Sequence, residues 1–340
     1  MIGFSGYNKG VNLGGWLSQC EHTDEHHSTF ISKSDIKRIS EWGLDHIRLP
    51  IDYQLVRDSD GKDIEKGYSY INACLEWCKE FGLNMILDLH KTAGYSFDKD
   101  ENDFFTSEVL QDKFVALWVE LAKRYGNLSD RLTFELLNEV VNDSDAQKWN
   151  EIIARTIPEI RKYAPVTKII VGGVRNNAIS CLGMLDKPYD ENVVYTFHFY
   201  EPLIFTHQSA YWIKTMGADF HTEYPKKSSC YIEQTEKHLS SNQADCYRNS
   251  NAEIIDADFF RNSFKEAVKI AKEREVSLYC GEYGVIDLAS TESTLNWYKD
   301  INSAFEEYGI SRAAWTYKGK DFGLIDEHYS DIYDSLIKLL

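Results

Sequence analysis

The chain has 340 residues, of which 43% are hydrophobic and 14% aromatic, enough apolar material for a large core in one domain or two. Its formal net charge of −17 arises from 54 acidic residues spread along the chain against 37 basic ones. That balance argues against nucleic acid and anionic membrane as partners and favours a neutral substrate.

No run reaches the roughly 18 to 20 consecutive apolar residues of a membrane span. The opening "MIGFSGYNKG" lacks the basic and then apolar leader of an exported chain, so a cytoplasmic protein is expected, or a secreted one if a signal peptide has been trimmed away. The seven cysteines, an odd number without a regular framework, read as reduced thiols. Cys74 and Cys78, four apart on a helix, read as small apolar packing groups.

In chain order, short β-branched apolar runs alternate with longer amphipathic ones, the pattern of parallel βα units. The first candidate strand, "GVNLGG" (10–15), is followed by a helix at 34–42 and by "HIRLP" (46–50), which carries Arg48 at its end. A helix at 69–81 leads to "NMILDLH" (84–90), ending on His90, and one at 109–125 leads to "LTFELLN" (132–138), where Asn138 and Glu139 stand side by side. After a helix at 146–163 come "KIIVGG" (168–173), a short helix, and "NVVYTFHF" (192–199), with His198 and Tyr200 at its end. The next stretch, 201–257, is far longer than an ordinary connection and rich in Ser, Asn, His and Tyr. Beyond it a helix at 258–274 precedes "VSLYCGE" (276–282), which ends on Glu282. A helix at 291–307 then precedes "SRAAWTY" (311–317), with Trp315, and "SDIYDSLIKLL" closes the chain.

Eight βα units in succession predict an α/β fold of the (β/α)8 TIM-barrel type, one domain over 1–340, with 201–257 inserted as a subdomain after the sixth strand. Such an insertion lies on the C-terminal face, where barrel active sites form, and reads as a wall of the site. A doubly wound open sheet is the runner-up, but no G-x-G-x-x-G follows any strand.

A barrel would bring its C-terminal strand ends together, and with them Arg48, His90, Asn138, Glu139, His198, Tyr200, Glu282 and Trp315. Singly, each has a structural explanation: a satisfied histidine, an ion-paired arginine, a core tryptophan. Jointly they supply what cleavage of a glycosidic bond requires, one carboxyl protonated to donate to the leaving oxygen and one ionised to attack the anomeric carbon. Arg48 would lower the pKa of the carboxylate it pairs with, Trp315 would offer a flat apolar face to a sugar ring, and Asn138 could both donate to and accept from a hydroxyl. Neighbours in a regular strand point to opposite sides, so Asn138 and Glu139 can share one site only if the alternation fails at the strand end.

The motifs "LLNEV" with Glu139, "YCGEYGV" with Glu282, "HIRLP" with Arg48, "LDLH" with His90, "YTFHFY" with His198 and Tyr200, and "AAWTYK" with Trp315 together resemble glycoside hydrolase family five, over essentially the whole chain. The resemblance implies hydrolysis with retention, with Glu139 as general acid and base and Glu282 as nucleophile. It also implies that Arg48 and Tyr200 orient Glu282, that Asn138 binds the 2-hydroxyl of the sugar at the cleavage point, and that His90, His198 and Trp315 shape that subsite. A cis peptide between Trp315 and Thr316 belongs to the same resemblance.

Substrate follows from finer features. "GVNLGGW" is similar to the opening of the family's exo-β-1,3-glucanases, yet the insertion at 201–257 and "FTHQ" (205–208) resemble its clostridial-type endoglucanases without signal peptides. The expectation is an endo-β-glucanase acting on β-1,4 bonds of cellulose-type or mixed-linkage chains and their oligosaccharides, with an exo-β-1,3-glucanase or a mannanase as alternatives. Trp16, Glu21, His26, Phe205, His207 and Trp212 are candidates for outer sugar subsites. In "EHTDEHH" (21–27), His22, His26 and His27 lie among carboxylates, but the spacing fits no tight ligand pattern. Neither a metal nor another cofactor is expected, and the enzyme is expected to act as a monomer on a β-glucan.

Overall fold

The computed structural model describes residues 3–99 and 102–340. Eight parallel strands close into a barrel: β1 (Lys9–Asn12), β2 (His46–Asp52), β3 (Asn84–Lys91), β4 (Leu132–Glu135), β5 (Ile169–Gly172), β6 (Val193–His198), β9 (Ser277–Tyr283) and β10 (Ser311–Ala314). The remaining two, β7 (Lys226–Lys227) and β8 (Ile254–Ile255), form a small antiparallel ladder outside it. Every residue of β2 and of β9 is buried, as expected of parallel strands covered by helices outside and by packed side chains inside.

The helices bury one stripe each. In Glu65–Phe81 the buried positions include Tyr68, Ile71, Cys74, Leu75 and Cys78, three and four residues apart, and Gly82, at φ 73°, ends the helix in the left-handed conformation. This helix begins earlier than the sequence pattern predicts. Gly67 is a poor helix former by propensity, but a Cβ there would lie 1.8 Å from the carbonyl oxygen of Leu55, so close packing of this first turn requires glycine. All seven cysteines are free thiols. At the bottom of the barrel Phe4 and Tyr7 pack with Ile86, Ile170, Val194, Tyr279 and Ala313 into a separate apolar layer that closes the floor.

Two strand boundaries differ from expectation in ways that shape the mouth. β2 continues to Asp52, so Arg48 lies within the strand and not at its end. β4 leaves the ladder after Glu135, and Asn138 is held instead by its backbone N–H donating to Leu89 O at 3.1 Å. Glu139 then adopts φ 45°, a left-handed conformation that costs a non-glycine residue energy. This break in the alternation lets Asn138 and Glu139 face the same space.

The stretch after β6 contains the helices Ser228–His238 and Asp245–Ser250 and the β7–β8 ladder. Its Tyr224, Tyr231 and Tyr247 belong to the same buried cluster as Phe259, Phe260 and the barrel strands. Tyr247 anchors it by donating to Glu201 Oε2 at 2.6 Å. Among the described residues no helix is long and apolar enough to cross a membrane.

Candidate active site

The site is organised around one fully buried guanidinium. Arg48 donates to both oxygens of Glu135, from Nε at 2.7 Å and from Nη2 at 2.9 Å. Nη1 reaches Glu282 Oε1 at 2.8 Å and Asn12 Oδ1 at 2.9 Å, and Nη2 reaches Asn138 Oδ1 at 2.9 Å. Asp88 completes the group, 3.1 Å from Nη2. A planar fork that engages a carboxylate with two bonds fixes direction as well as charge, so Arg48 sets the positions of side chains from four strands and from the turn after β4.

Above this layer stand two carboxyl groups in different surroundings. Glu282 receives Arg48 on Oε1 and the Tyr200 hydroxyl on Oε2, the latter at 2.9 Å. Glu139 is half-buried; its Oε1 pairs with His198 Nδ1 at 2.7 Å and its Oε2 accepts from Asn176 Nδ2 at 3.1 Å. One oxygen of each glutamate and a ring nitrogen of His198 lie within 4.8 Å of one another.

Burial raises the pKa of both acids, but unequally opposed. It pushes Glu139 up to about 7, with the Asn176 amide and the more distant Arg48 as the opposing influences. At Glu282 burial also raises the pKa, as does the neighbouring Glu139, and there His198, Arg48 in direct contact and the donated Tyr200 hydroxyl pull the other way, toward the anion. Burial lowers His198 to about 4, so its ring is neutral near pH 7 and serves as a hydrogen-bonding partner. The arrangement therefore favours a proton on Glu139 and a negative charge on Glu282.

The remaining predicted residues frame the space between these groups. His90 Nδ1 lies 2.6 Å from Asp88 Oδ2, and its ring is parallel to that of Trp315, with centroids 5.7 Å apart. Trp315 can lie there because Gly14 has no Cβ: one would come within 2.8 Å of the indole. The Trp315–Thr316 peptide is cis. Asn138 Nδ2 is buried and has no partner, a donor aimed at whatever occupies the cleft.

The cleft encloses about 1840 Å³ and is lined by Glu139, Glu282, Asn138, Tyr200, Trp315 and both of the histidines His90 and His198, with Tyr95, Phe97, His207, Tyr211, Trp212 and Phe322 further out. Of the six outer candidates, His207 and Trp212 line it, with ring centroids 6.1 Å apart in an edge-on arrangement. The other four are not among its lining residues. Trp16 is a core side chain stacked on Trp77, and Phe205 is likewise buried, against Tyr224. Glu21 is exposed, and His26 is tied to Gly15 O at 2.7 Å and stacked on Phe30. Sequence alone cannot tell a tryptophan that packs from one that waits for a sugar.

Several contributing residues were not anticipated. Glu135, Asp88 and Asn12 hold Arg48, Asn176 holds Glu139, and Tyr95 holds the turn by donating to Glu139 O at 2.6 Å and accepting from Val141 N at 3.0 Å. The signal for the first two was available: "ILDLH" and "FELLN" each place a charge inside a run otherwise made for burial. For Asn176 the clue was "RNN" after the fifth strand, since Arg175, Asn176 and Asn177 all adopt positive φ, which asparagine tolerates better than most residues.

The family model for cellulase, glycosyl hydrolase family 5, matches residues 6–321. Cellodextrinase A of Ruminococcus flavefaciens is 42% identical over 92% of this chain and 86% of its own. Endoglucanase C of Acetivibrio thermocellus is 38% identical over 98% of both chains. Among solved structures, the clostridial cellulose synthase subunit Z of Clostridioides difficile superposes with a TM-score of 0.76 at 25% identity, over 98% of this chain and 99% of that one. A hyperthermophilic endo-β-1,4-glucanase in complex with substrate superposes with a TM-score of 0.78 at 23% identity, over 98% of this chain and 97% of its own, a likeness of fold.

Proposed function

The chain belongs to glycosyl hydrolase family 5, and from that premise we propose that it is a retaining endo-β-glucanase cutting β-1,4-glucosidic bonds in cellulose-type or mixed-linkage β-glucans and their oligosaccharides. The observation that carries this reading is the close pair of unequal acids, Glu139 and Glu282, with oxygens within 4.8 Å. Retaining enzymes hold their carboxyls roughly 5 to 5.5 Å apart, whereas inverting ones leave roughly 6.5 to 9.5 Å for a water.

In the first step Glu282 forms a bond to the anomeric carbon as the glycosidic C–O bond breaks, and the Glu139 proton passes to the leaving oxygen. In the second, water attacks the same carbon, Glu139 takes its proton back, and the bond to Glu282 breaks. Arg48 and Tyr200 hold Glu282 in line, and the free Nδ2 of Asn138 donates to the 2-hydroxyl of the sugar. Trp315 supports that sugar's apolar face, with His90 and His198 lining the same part of the cleft, while His207 and Trp212 serve sugars further along. The names of the two relatives, a cellodextrinase and an endoglucanase, support glucan as substrate, with short oligosaccharides included.

Three experiments test this. Proton NMR of the first products from a cello-oligosaccharide should show the β-anomer before mutarotation, and initial formation of the α-anomer would overturn retention. On an activated aryl β-glucoside, Glu282→Gly should lose turnover and recover part of it with azide, yielding the α-glycosyl azide; a β-azide product would remove Glu282 from its role. A panel of barley β-glucan, carboxymethyl cellulose, laminarin and mannan locates the substrate, with glucose released mainly from laminarin favouring the exo-β-1,3 alternative.

A further inference from the structure

Outside the catalytic pair, one cluster of ligating side chains has no part in the chemistry above. One ligand atom from each of Cys20, His22 and His27 lies within 4.8 Å of the other two. Cys20 Sγ is 3.9 Å from His27 Nε2, and the rings of His22 and His27 meet edge-on with centroids 5.3 Å apart.

The backbone delivers them deliberately. Leu17 bridges to Ile51 at the end of β2, and Gln19, at φ 53°, then turns the chain so that Cys20 folds back on Trp16, its thiol 3.2 Å from Trp16 O. The helix Asp24–Thr29, capped by the Thr23 side chain, points His27 inward, and Trp16 Nε1 secures its carbonyl at 2.8 Å. His22 Nε2 is held by Asp52 Oδ2 at 3.0 Å, and Ser18 donates to the other oxygen of Asp52 at 2.5 Å. The second ring nitrogen of His22, Nδ1, is buried and has no partner.

We propose that Cys20, His22 and His27 form a binding site for a borderline-soft divalent cation of the zinc class on the wall of the cleft. The donor set, one thiolate and two imidazoles, is the kind that selects such an ion over magnesium or calcium. With bond lengths of about 2.3 Å to sulfur and about 2.0 to 2.1 Å to nitrogen, a tetrahedral ion would hold sulfur and nitrogen about 3.5 Å apart, close to the 3.9 Å between Cys20 and His27. Asp52 stands where a metal-bound histidine commonly has a carboxylate on its other nitrogen, fixing tautomer and ring direction.

Cys20 and His22 both line the cleft, so a fourth position would open to solvent. The ion takes the place of the thiol proton, releasing it to water. "EHTDEHH" conceals this pattern because the third ligand, Cys20, lies just before it. The catalytic trio Glu139, His198 and Glu282 is the other group of potential ligands among the described residues, and the test must separate the two.

Cobalt(II) is the probe. The full-length protein should bind one equivalent with a thiolate-to-cobalt charge-transfer band in the near ultraviolet and intense tetrahedral visible bands, both erased by zinc. The band should vanish in Cys20→Ser, persist in Glu282→Gln, and require at least about tenfold more cobalt in Asp52→Asn, the usual scale for losing an outer-sphere carboxylate. Absence of a thiolate band, its survival in Cys20→Ser, or its loss in Glu282→Gln would overturn the site. Unaltered wild-type protein gives an independent reading: zinc should slow alkylation of Cys20 at least about tenfold by peptide mapping while Cys230 and Cys246 react as before, and equal rates at Cys20 with and without zinc would also overturn it.

Discussion

Arg48 meets its hydrogen-bonding demand wholly inside the protein, among Glu135, Glu282, Asp88, Asn138 and Asn12. A lysine keeps the charge but has no planar fork, so Arg48→Lys leaves at least one buried carboxylate unpaired. Breaking a buried ion pair on one side costs about 3 to 5 kcal/mol. Denaturant unfolding of this variant should show a loss of that order, with kcat/KM down at least about 100-fold. Stability within about 1 kcal/mol of wild type would mean that other groups hold the carboxylates. Glu139 gives a second expectation at this scale. On the proposed mechanism its proton must be present for the first step, so with its pKa near 7 kcat/KM should fall roughly tenfold per pH unit above about pH 7. On the same mechanism, ionisation of Glu282 should set the acid limb. The Asn176 amide pulls Glu139 down, so Asn176→Ala should move the alkaline limb to higher pH, and a limb that stays in place would assign it to another group. The proposed acid and nucleophile, Glu139 and Glu282, are legible in the sequence because each follows or ends an apolar run, whereas Asp88 and Glu135 are charges inside strands, where only the closed barrel brings them to Arg48.

At the scale of elements, the decisive piece is the turn that follows β4. Tyr95, from the loop after β3, clamps it through two hydrogen bonds, to Glu139 O and from Val141 N. Tyr95→Phe keeps the ring packed on Phe105 and removes both bonds, each worth about 0.5 to 1.5 kcal/mol. The expected result is a loss of about 1 to 3 kcal/mol in unfolding free energy and roughly a tenfold fall in kcat, because the proposed proton donor, displaced by a fraction of an ångström, would transfer poorly. Unchanged kcat with reduced stability would leave Tyr95 a structural role alone. Each barrel strand overlaps a run that the sequence marks as a strand, because burial on both faces favours apolar sequence. Boundaries were less legible. The end of β4 depends on Asn138 meeting Leu89 from the neighbouring strand, and the start of Glu65–Phe81 depends on Gly67 meeting Leu55; both contacts bridge segments that no local pattern connects.

For the whole molecule, the relevant property is a net charge of −17 carried by an enzyme whose proposed substrate is neutral. Charge of one sign repels an anionic polymer over about 30 Å at 0.01 M salt but only about 10 Å at 0.1 M. Carboxymethyl cellulose is such a polymer and barley β-glucan is not. Raising the salt from 10 to 200 mM should therefore lower KM for carboxymethyl cellulose about two- to fivefold and leave KM for β-glucan unchanged. The local alternative is specific. Lys91, Arg175, Lys214 and Lys320 line the cleft, and if their field governs approach, salt would instead raise KM for the anionic polymer. A parallel change on both substrates would point to an effect of salt on the fold, visible as a shift in Tm. The comparison thus distinguishes the field of the whole surface from that of the cleft rim, and it indicates whether rates on carboxymethyl cellulose at low salt understate activity on natural β-glucan.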